Sequence, residues 1–288
     1  MTAILIDASS YIHRAFHAQP PMTKADGTPT GCIHGFCRML WVLKKSHVNA
    51  THFATIFDKG RSTHRMALYP DYKGQRPPLH PDLKTQLDGV RAAARAFDFP
   101  IVEQDGVEAD DLIASYADAF AGNGDDVIMV SSDKDLYQLI RSGVSMWDPI
   151  KSQAIDRAEV IAKFGVPPER MIDAQALIGD ATDNVPGVPK VGMKTAAELI
   201  TKFGGLDDVL ANVHRVQKPS IRSSLFKNAG LALLSRDLVT LHRDVPLPVP
   251  MKCVESRDID PVRLHAFAIE MEFDSFAADV AAFYRLEI

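Results

Sequence analysis

Apolar positions along the chain fall into runs of two kinds. Three segments read as continuous apolar strands that end on an aspartate: Ala3-Ile4-Leu5-Ile6-Asp7, Phe53-Ala54-Thr55-Ile56-Phe57-Asp58 and Val127-Ile128-Met129-Val130-Ser131-Ser132-Asp133. Unbroken apolarity suits strands covered on both faces, as in a parallel α/β sheet. Between the strands the period becomes helical. After Gly106-Val107-Glu108-Ala109-Asp110-Asp111, apolar residues at Leu112, Ile113, Tyr116 and Phe120 follow the 3.6-residue spacing. They predict a helix with one buried face and acids in its first turn.

Residues 11–18 and 35–45 read as further helices, the first stopped by Gln19-Pro20-Pro21, with His13 and His17 as its packing residues. Residues 99–103 read as a short strand, and Asp135 opens another amphipathic helix. Asp156-Arg157-Ala158-Glu159 is a capping-box pattern for a helix ending near Gly165. The rest is helical in pattern, so a boundary is expected within 165–180, separating a core of 1–170 from a helical region of 171–288. Residues 59–90 are basic, poorly periodic and broken by Pro70 and Pro77-Pro78-Leu79-His80-Pro81. Within them Tyr69-Pro70-Asp71-Tyr72-Lys73-Gly74-Gln75-Arg76 interleaves aromatic and basic side chains, which suits a single nucleic-acid strand.

Composition narrows the class without naming it. A chain of 288 residues with 46% hydrophobic and 24% charged positions is ordinary for a soluble globular protein of one large or two modest domains. No apolar run approaches the roughly 20 residues that cross a bilayer, and the N-terminus has no signal-peptide pattern. Three cysteines without a CxxC pair argue for reduced thiols and a cytoplasmic location. The net charge of −5 conceals a pattern. Residues 105–135 carry −8, whereas 59–95 carry +5 and 186–227 carry +4. Two basic belts around an acidic centre fit a polyanion gripped on both sides.

Strand ends in a parallel sheet are where ligands bind. Three of them ending in Asp, beside an acidic helix start and the Asp133-Lys134-Asp135 pair, predict one cluster of carboxylates. Two carboxylates about 5 Å apart repel by roughly 3 kcal/mol at an effective dielectric near 20. A pair of hard divalent cations offsets that repulsion. Further on, Asp180-Ala181-Thr182-Asp183-Asn184 leads into Val185-Pro186-Gly187-Val188-Pro189-Lys190-Val191-Gly192-Met193-Lys194, a helix–hairpin–helix-like element over 180–204. Its glycines and helix N-terminus suit phosphate contacts.

The blocks DA…HRAFHA, IFD, YKGQR, VEADDLIA, SSDKDLYQL, GDATDNVPGVPKVGMKTA and EFDSF, in that order, cover nearly the whole chain. Together they resemble the 5′-nuclease (5′–3′ exonuclease and flap endonuclease) domain of the bacterial DNA polymerase I family and its phage relatives. The resemblance implies a PIN-like α/β core with a mostly parallel sheet flanked by helices. It also implies a helical arch over the site and a C-terminal all-helical helix–three-turn–helix module. It puts metal ligands at Asp7, Asp58, Glu108, Asp110, Asp111, Asp133, Asp135, Asp180 and Asp183. Asp7, Asp58 and Asp110 would surround one Mg²⁺; Asp110, Asp133, Asp135 and Asp183 a second, with Mn²⁺ able to substitute. Glu108, Asp111 and Asp180 would act largely through water.

Lys73 and Arg76 would meet the scissile phosphate, sharing one face if their segment is helical. Arg65 and Tyr72 would stand beside them on the DNA, and Gly187, Lys190, Gly192 and Lys194 would hold the duplex, with K⁺ in the turn. Ala8, His64 and Lys190 stand where the family usually has Gly, an aromatic and Gly. The implied partner is DNA with a 5′ flap, 5′ overhang or nick, RNA-primed strands included. The implied enzyme is a monomer acting in primer removal and repair. Three other classes share parts of this pattern. A PIN-type ribonuclease would lack the hairpin and most of the arch. A DNA-junction binder would lack turnover, and a phospho-receiver would need one nucleophilic Asp rather than nine acids.

Overall fold

The computed structural model describes residues 1–287 except Gln19 and Ile150. Its centre is a six-stranded sheet in the order β3-β2-β1-β4-β5-β6. The strands are β1 Thr2–Asp7, β2 His52–Ile56, β3 Ile101–Val102, β4 Asp126–Val130, β5 Val144–Asp148 and β6 Gln153–Ile155. All neighbours pair in parallel except β5 and β6. Leu5 sits opposite Ala54 on one side and Met129 on the other, so β1 is central. The chain leaves β1 toward β2 and β3, then returns to its other side at β4. The order therefore reverses between β1 and β4, the place where sheets of this kind bind ligands at their carboxyl ends.

Alternation along β1 assigns the two faces. Ala3 and Leu5 join a core with helix Ala109–Gly122, where Leu112, Ile113, Tyr116 and Phe120 are buried as their spacing predicts. Ile4 and Ile6 join a second core with helices Ala8–Ala18, Gly31–Ser46 and Pro81–Ala96. The first core runs on without a break into helices Met171–Ile178, Met193–Phe203, Leu206–Ala211 and Ala229–Val239. Helices Pro261–Glu270 and Asp274–Tyr284 return to the second core, where Phe276 stacks on Phe97 and meets Trp41 edge to face. No helix among the described residues is long and apolar enough to cross a membrane.

Several local expectations change. Residues 81–90 are not part of an irregular basic segment. They begin the helix Pro81–Ala96, which buries Leu83, Gln86, Val90, Ala93 and Ala94 at helical spacing. Asp135 opens a 3₁₀ turn, Lys134–Leu139, rather than an α-helix. His13 and His17 are exposed, because Ala8, Tyr11, Ile12 and Ala15 fill the buried stripe of their helix. The capping pattern at Asp156 does open helix Arg157–Phe164, its carboxylate accepting from the Ala158 and Glu159 amides, and Gly165 closes it with φ +72°.

Candidate metal and nucleic-acid site

Asp7, Asp58 and Asp133 follow three adjacent parallel strands, β1, β2 and β4, so they meet at one edge of the sheet. Asp7 is buried at the end of β1 and accepts from the Ser131 hydroxyl at 2.6 Å and the Ser10 amide at 3.0 Å. Asp58 accepts from the Ser9 hydroxyl at 2.5 Å and from the Ala109 amide at 2.9 Å. That second bond ties β2 to the start of the acidic helix, where the free N–H groups favour an anion. Asp110 comes next on that helix, and Asp133 caps the 3₁₀ turn through the Asp135 amide at 2.9 Å.

These acids disturb one another. Burial, then Asp133 and Asp58, raise Asp7 to about 7 despite its two hydrogen bonds. Burial followed by Asp133, Asp7 and Asp58 holds Asp110 well above the usual carboxylate range. Asp135 rises to about 7 through burial and Asp133, with Asp183 and Asp180 adding to it. Anions crowded to this degree, with only oxygen donors among them, fit a hard divalent cation. Among the described residues no three of them close into a ready-made cage. Protein cations hold part of the cluster instead. Lys134 pairs with Asp180, which is drawn below the usual carboxylate range against the effect of burial.

The basic turn supplies the other cations. Residues 70–75 form a tight turn in which Lys73 has φ +54°, so Lys73 and Arg76 do not share a helical face. Both nevertheless reach the acids. The Lys73 ammonium donates to Glu108 at 2.6 Å and lies 3.6 Å from Asp183. Arg76 donates to Asp183 at 2.5 Å. The turn is latched in place by the Lys73 amide on the Asp183 carbonyl at 2.9 Å. The Asn184 side chain adds bonds to Gln75 and to the Asp71 carbonyl, both at 2.8 Å.

Arg65 and Asp111 are buried and paired with each other. Arg65 is 2% exposed and cannot reach DNA. Its guanidinium bridges both Asp111 oxygens at 2.6 and 2.8 Å, adds Glu108 at 3.1 Å, and donates to the Leu238 and Thr240 carbonyls. Asp111 accepts one more bond from the His242 amide, so its oxygens are engaged away from the cluster. Tyr72 is buried too, its hydroxyl donating to Glu108 at 3.1 Å, which makes it a support for that carboxylate rather than a DNA contact.

The hairpin divides in the same way. Gly187 is buried with φ +61°, and its amide donates to Ser235 at 2.9 Å. A Cβ there would sit 2.5 Å from the Gly179 nitrogen, so this glycine permits two backbones to touch rather than a phosphate to approach. Gly192 faces open space at the start of helix Met193–Phe203, and Lys190 and Lys194 are exposed beside it. Ser131, Lys134 and Gln175 are site residues that sequence reasoning missed. Lys134 lay in plain view between two aspartates, but its partner Asp180 is 46 positions away.

The comparisons with known proteins agree with this geometry. The family described as "5'-3' exonuclease, N-terminal resolvase-like domain" matches residues 2–165, and "5'-3' exonuclease, C-terminal SAM fold" matches 166–262. A DNA polymerase I of Rhizobium leguminosarum is 44% identical over 96% of this chain, which spans only 28% of that protein. A 5'-3' exonuclease of Aquifex aeolicus is 35% identical, with 99% of this chain covering 96% of it. Among solved structures, T5 5'-exonuclease with zinc bound shares the fold at a TM-score of 0.71 and 23% identity, over 98% of this chain and 99% of its own. The chain belongs to the 5′–3′ exonuclease family.

Proposed function

We propose that this chain is a Mg²⁺-dependent, structure-specific 5′ nuclease. It hydrolyses phosphodiester bonds at 5′ ends and 5′ flaps of duplex DNA, with primer removal and repair as its role. The observation that carries this reading is the convergence of Asp7, Asp58, Asp110 and Asp133 on one sheet edge, beneath a turn that brings Lys73 and Arg76 to Glu108 and Asp183. In this reading Asp7, Asp58 and Asp110 hold one ion. Asp110, Asp133, Asp135 and Asp183 hold the other, with Glu108 and Asp180 acting through water. Bound cations would activate the attacking water and stabilise the leaving oxygen. Lys73 and Arg76, now paired with acids, are released toward the scissile phosphate once those acids are neutralised. Lys190, Gly192 and Lys194 hold duplex phosphates at a distance from the cut.

The test is a labelled 5′-flap duplex incubated with and without Mg²⁺. Cleavage near the junction should require the metal, and Asp135→Asn should abolish or greatly weaken it while the fold persists. Metal-free Asp135→Asn should melt no lower than the parent, because a like charge has been removed. Near-parental turnover by Asp135→Asn at low Mg²⁺ would sink the two-ion reading. Binding without turnover in the parent would leave a junction-binding protein.

A further inference from the structure

Helix Met171–Ile178 meets the acid cluster at Gln175. This residue is 3% exposed, and its Nε2 donates to Oδ1 of Asp135. With Asp135 ionised, as a cation ligand must be, the opposite amide orientation would set two acceptors against each other. Its Oε1 is buried with no hydrogen-bond partner among the described residues. Gln138 provides the contrast. Its Nε2 donates to the Asp135 backbone carbonyl and the Val239 carbonyl, both at 2.9 Å, and its Oε1 accepts from Leu241 at 3.1 Å. Gln138 is satisfied at both ends and braces backbone alone. Gln175 braces the carboxylate and is satisfied at one end.

Packing does not explain that amide. A buried acceptor without a partner is unfavourable, and an apolar side chain of the same size would fill the position without that penalty. We propose that Gln175 is a positioning residue for cation binding. It holds Oδ1 of Asp135 and leaves Oδ2 for the ion, with its unpartnered Oε1 available to a water that the ion carries. The inference rests on Asp135 being a cation ligand, as proposed above. Outer partners of this kind fix a ligand's orientation, and their loss typically weakens metal affinity about 10–100-fold.

Gln175→Met keeps the volume and removes both polar ends. Calorimetric titration of the protein alone with Mn²⁺ should show affinity weakened about 10-fold or more. The Mg²⁺ concentration for half-maximal cleavage should rise by a similar factor, while flap binding in metal-free buffer stays within a few-fold of the parent. Combining Gln175→Met with Asp135→Asn should cost no more than Asp135→Asn alone, since the effect runs through that carboxylate. If Gln175→Met fails to fold, Gln175→Asn withdraws the same amide by one methylene and should show the same shift. Parental Mn²⁺ affinity in a folded variant, or fully additive losses in the double variant, would overturn the proposal. Asp135→Asn run alongside separates the two failures. Unchanged Mn²⁺ affinity in Asp135→Asn removes the ligand assignment itself, whereas weakened affinity there with a parental Gln175→Met removes only the role of Gln175.

Discussion

Residues 59–95 carry a net +5 and residues 186–227 a net +4. In the first segment Lys59, Arg65, Lys73, Arg76 and Arg91 all pair with carboxylates of the acidic centre or its flanks. In the second, no ion pair forms from Lys190, Lys194, Lys202, Arg215, Lys218, Arg222 or Lys227 among the described residues, and all but the half-buried Arg222 are exposed. One belt is therefore largely internal counter-charge and the other a free cationic surface. What separates them is the neighbour across the fold. The first packs against residues 103–111 and Asp183. The second lies over the hairpin, where Ser224 donates to the Pro189 carbonyl at 2.5 Å. Equal charge in sequence becomes support for a site in one case and an outward grip in the other.

The largest effect should come from Arg65. Arg65→Met leaves Asp111 buried without its cation and Glu108 with Lys73 alone; breaking a buried pair in this way typically costs about 3–5 kcal/mol. Urea unfolding of the metal-free protein measures this directly. A variant that keeps parental stability but loses DNA affinity would put Arg65 back among surface contacts and erase the contrast between the belts.

Lys73 tests the part of the first belt that faces the chemistry. Lys73→Ala should lower single-turnover cleavage about 10²–10³-fold, the usual loss of one preorganised donor, roughly 3–4 kcal/mol. Flap binding should stay within a few-fold, because the grip lies in the other belt. The reverse outcome, with binding lost and the rate at saturating protein preserved, would make the turn a clamp.

These predictions depend on contacts that the sequence made only partly legible. Strands β1, β2 and β4 were readable because each is a long apolar run closing on an acid. β3 lies within residues 99–103, which read as a short strand, although only two of them pair; β5 alternates apolar residues with Ser145 and gave no clear run. Helix Pro81–Ala96 was obscured by the prolines before it, although Pro81 starts the helix rather than interrupting it. The acid cluster was legible, since strand ends fix where such residues meet. The division of labour inside it was not. Arg65 and Asp111 are 46 positions apart, and only the packed fold shows that they consume each other's hydrogen bonds. Gly187 was misread for a related reason: a glycine reveals close approach of something, but not whether that is phosphate or its own backbone.

The second belt has a smaller and different signature. If Lys194 neutralises a duplex phosphate, Lys194→Ala should weaken binding to all duplex sequences alike and shallow the log–log salt dependence by about 1. Cleavage at saturating protein should remain close to parental. An unchanged salt slope would mean that these exposed lysines are solvated surface, and that the outward belt grips nothing.

The smallest effect separates charge from backbone at one position. Each belt holds one lysine in the left-handed region, Lys73 at φ +54° and Lys190 at φ +72°. Lys73 is held there by ion pairs and by its amide on Asp183, whereas the Lys190 ammonium makes no ion pair among the described residues. A side chain in that conformation typically costs about 1–2 kcal/mol, which glycine avoids. Glycine also enlarges the freedom of the unfolded chain, at about 0.4–1 kcal/mol. Lys190→Gly should therefore stabilise the fold by about 0.5–1 kcal/mol, the difference between those effects. Lys190→Ala retains the left-handed strain and should give no such gain. Both variants remove the same charge, so both should shallow the salt slope of duplex binding equally if the ammonium meets a phosphate. Thermal melting and salt-dependent binding, run on the pair, then read the two contributions separately. Equal stability for the glycine and alanine variants would show that the turn does not strain Lys190, and a parental salt slope in both would remove Lys190 from the grip.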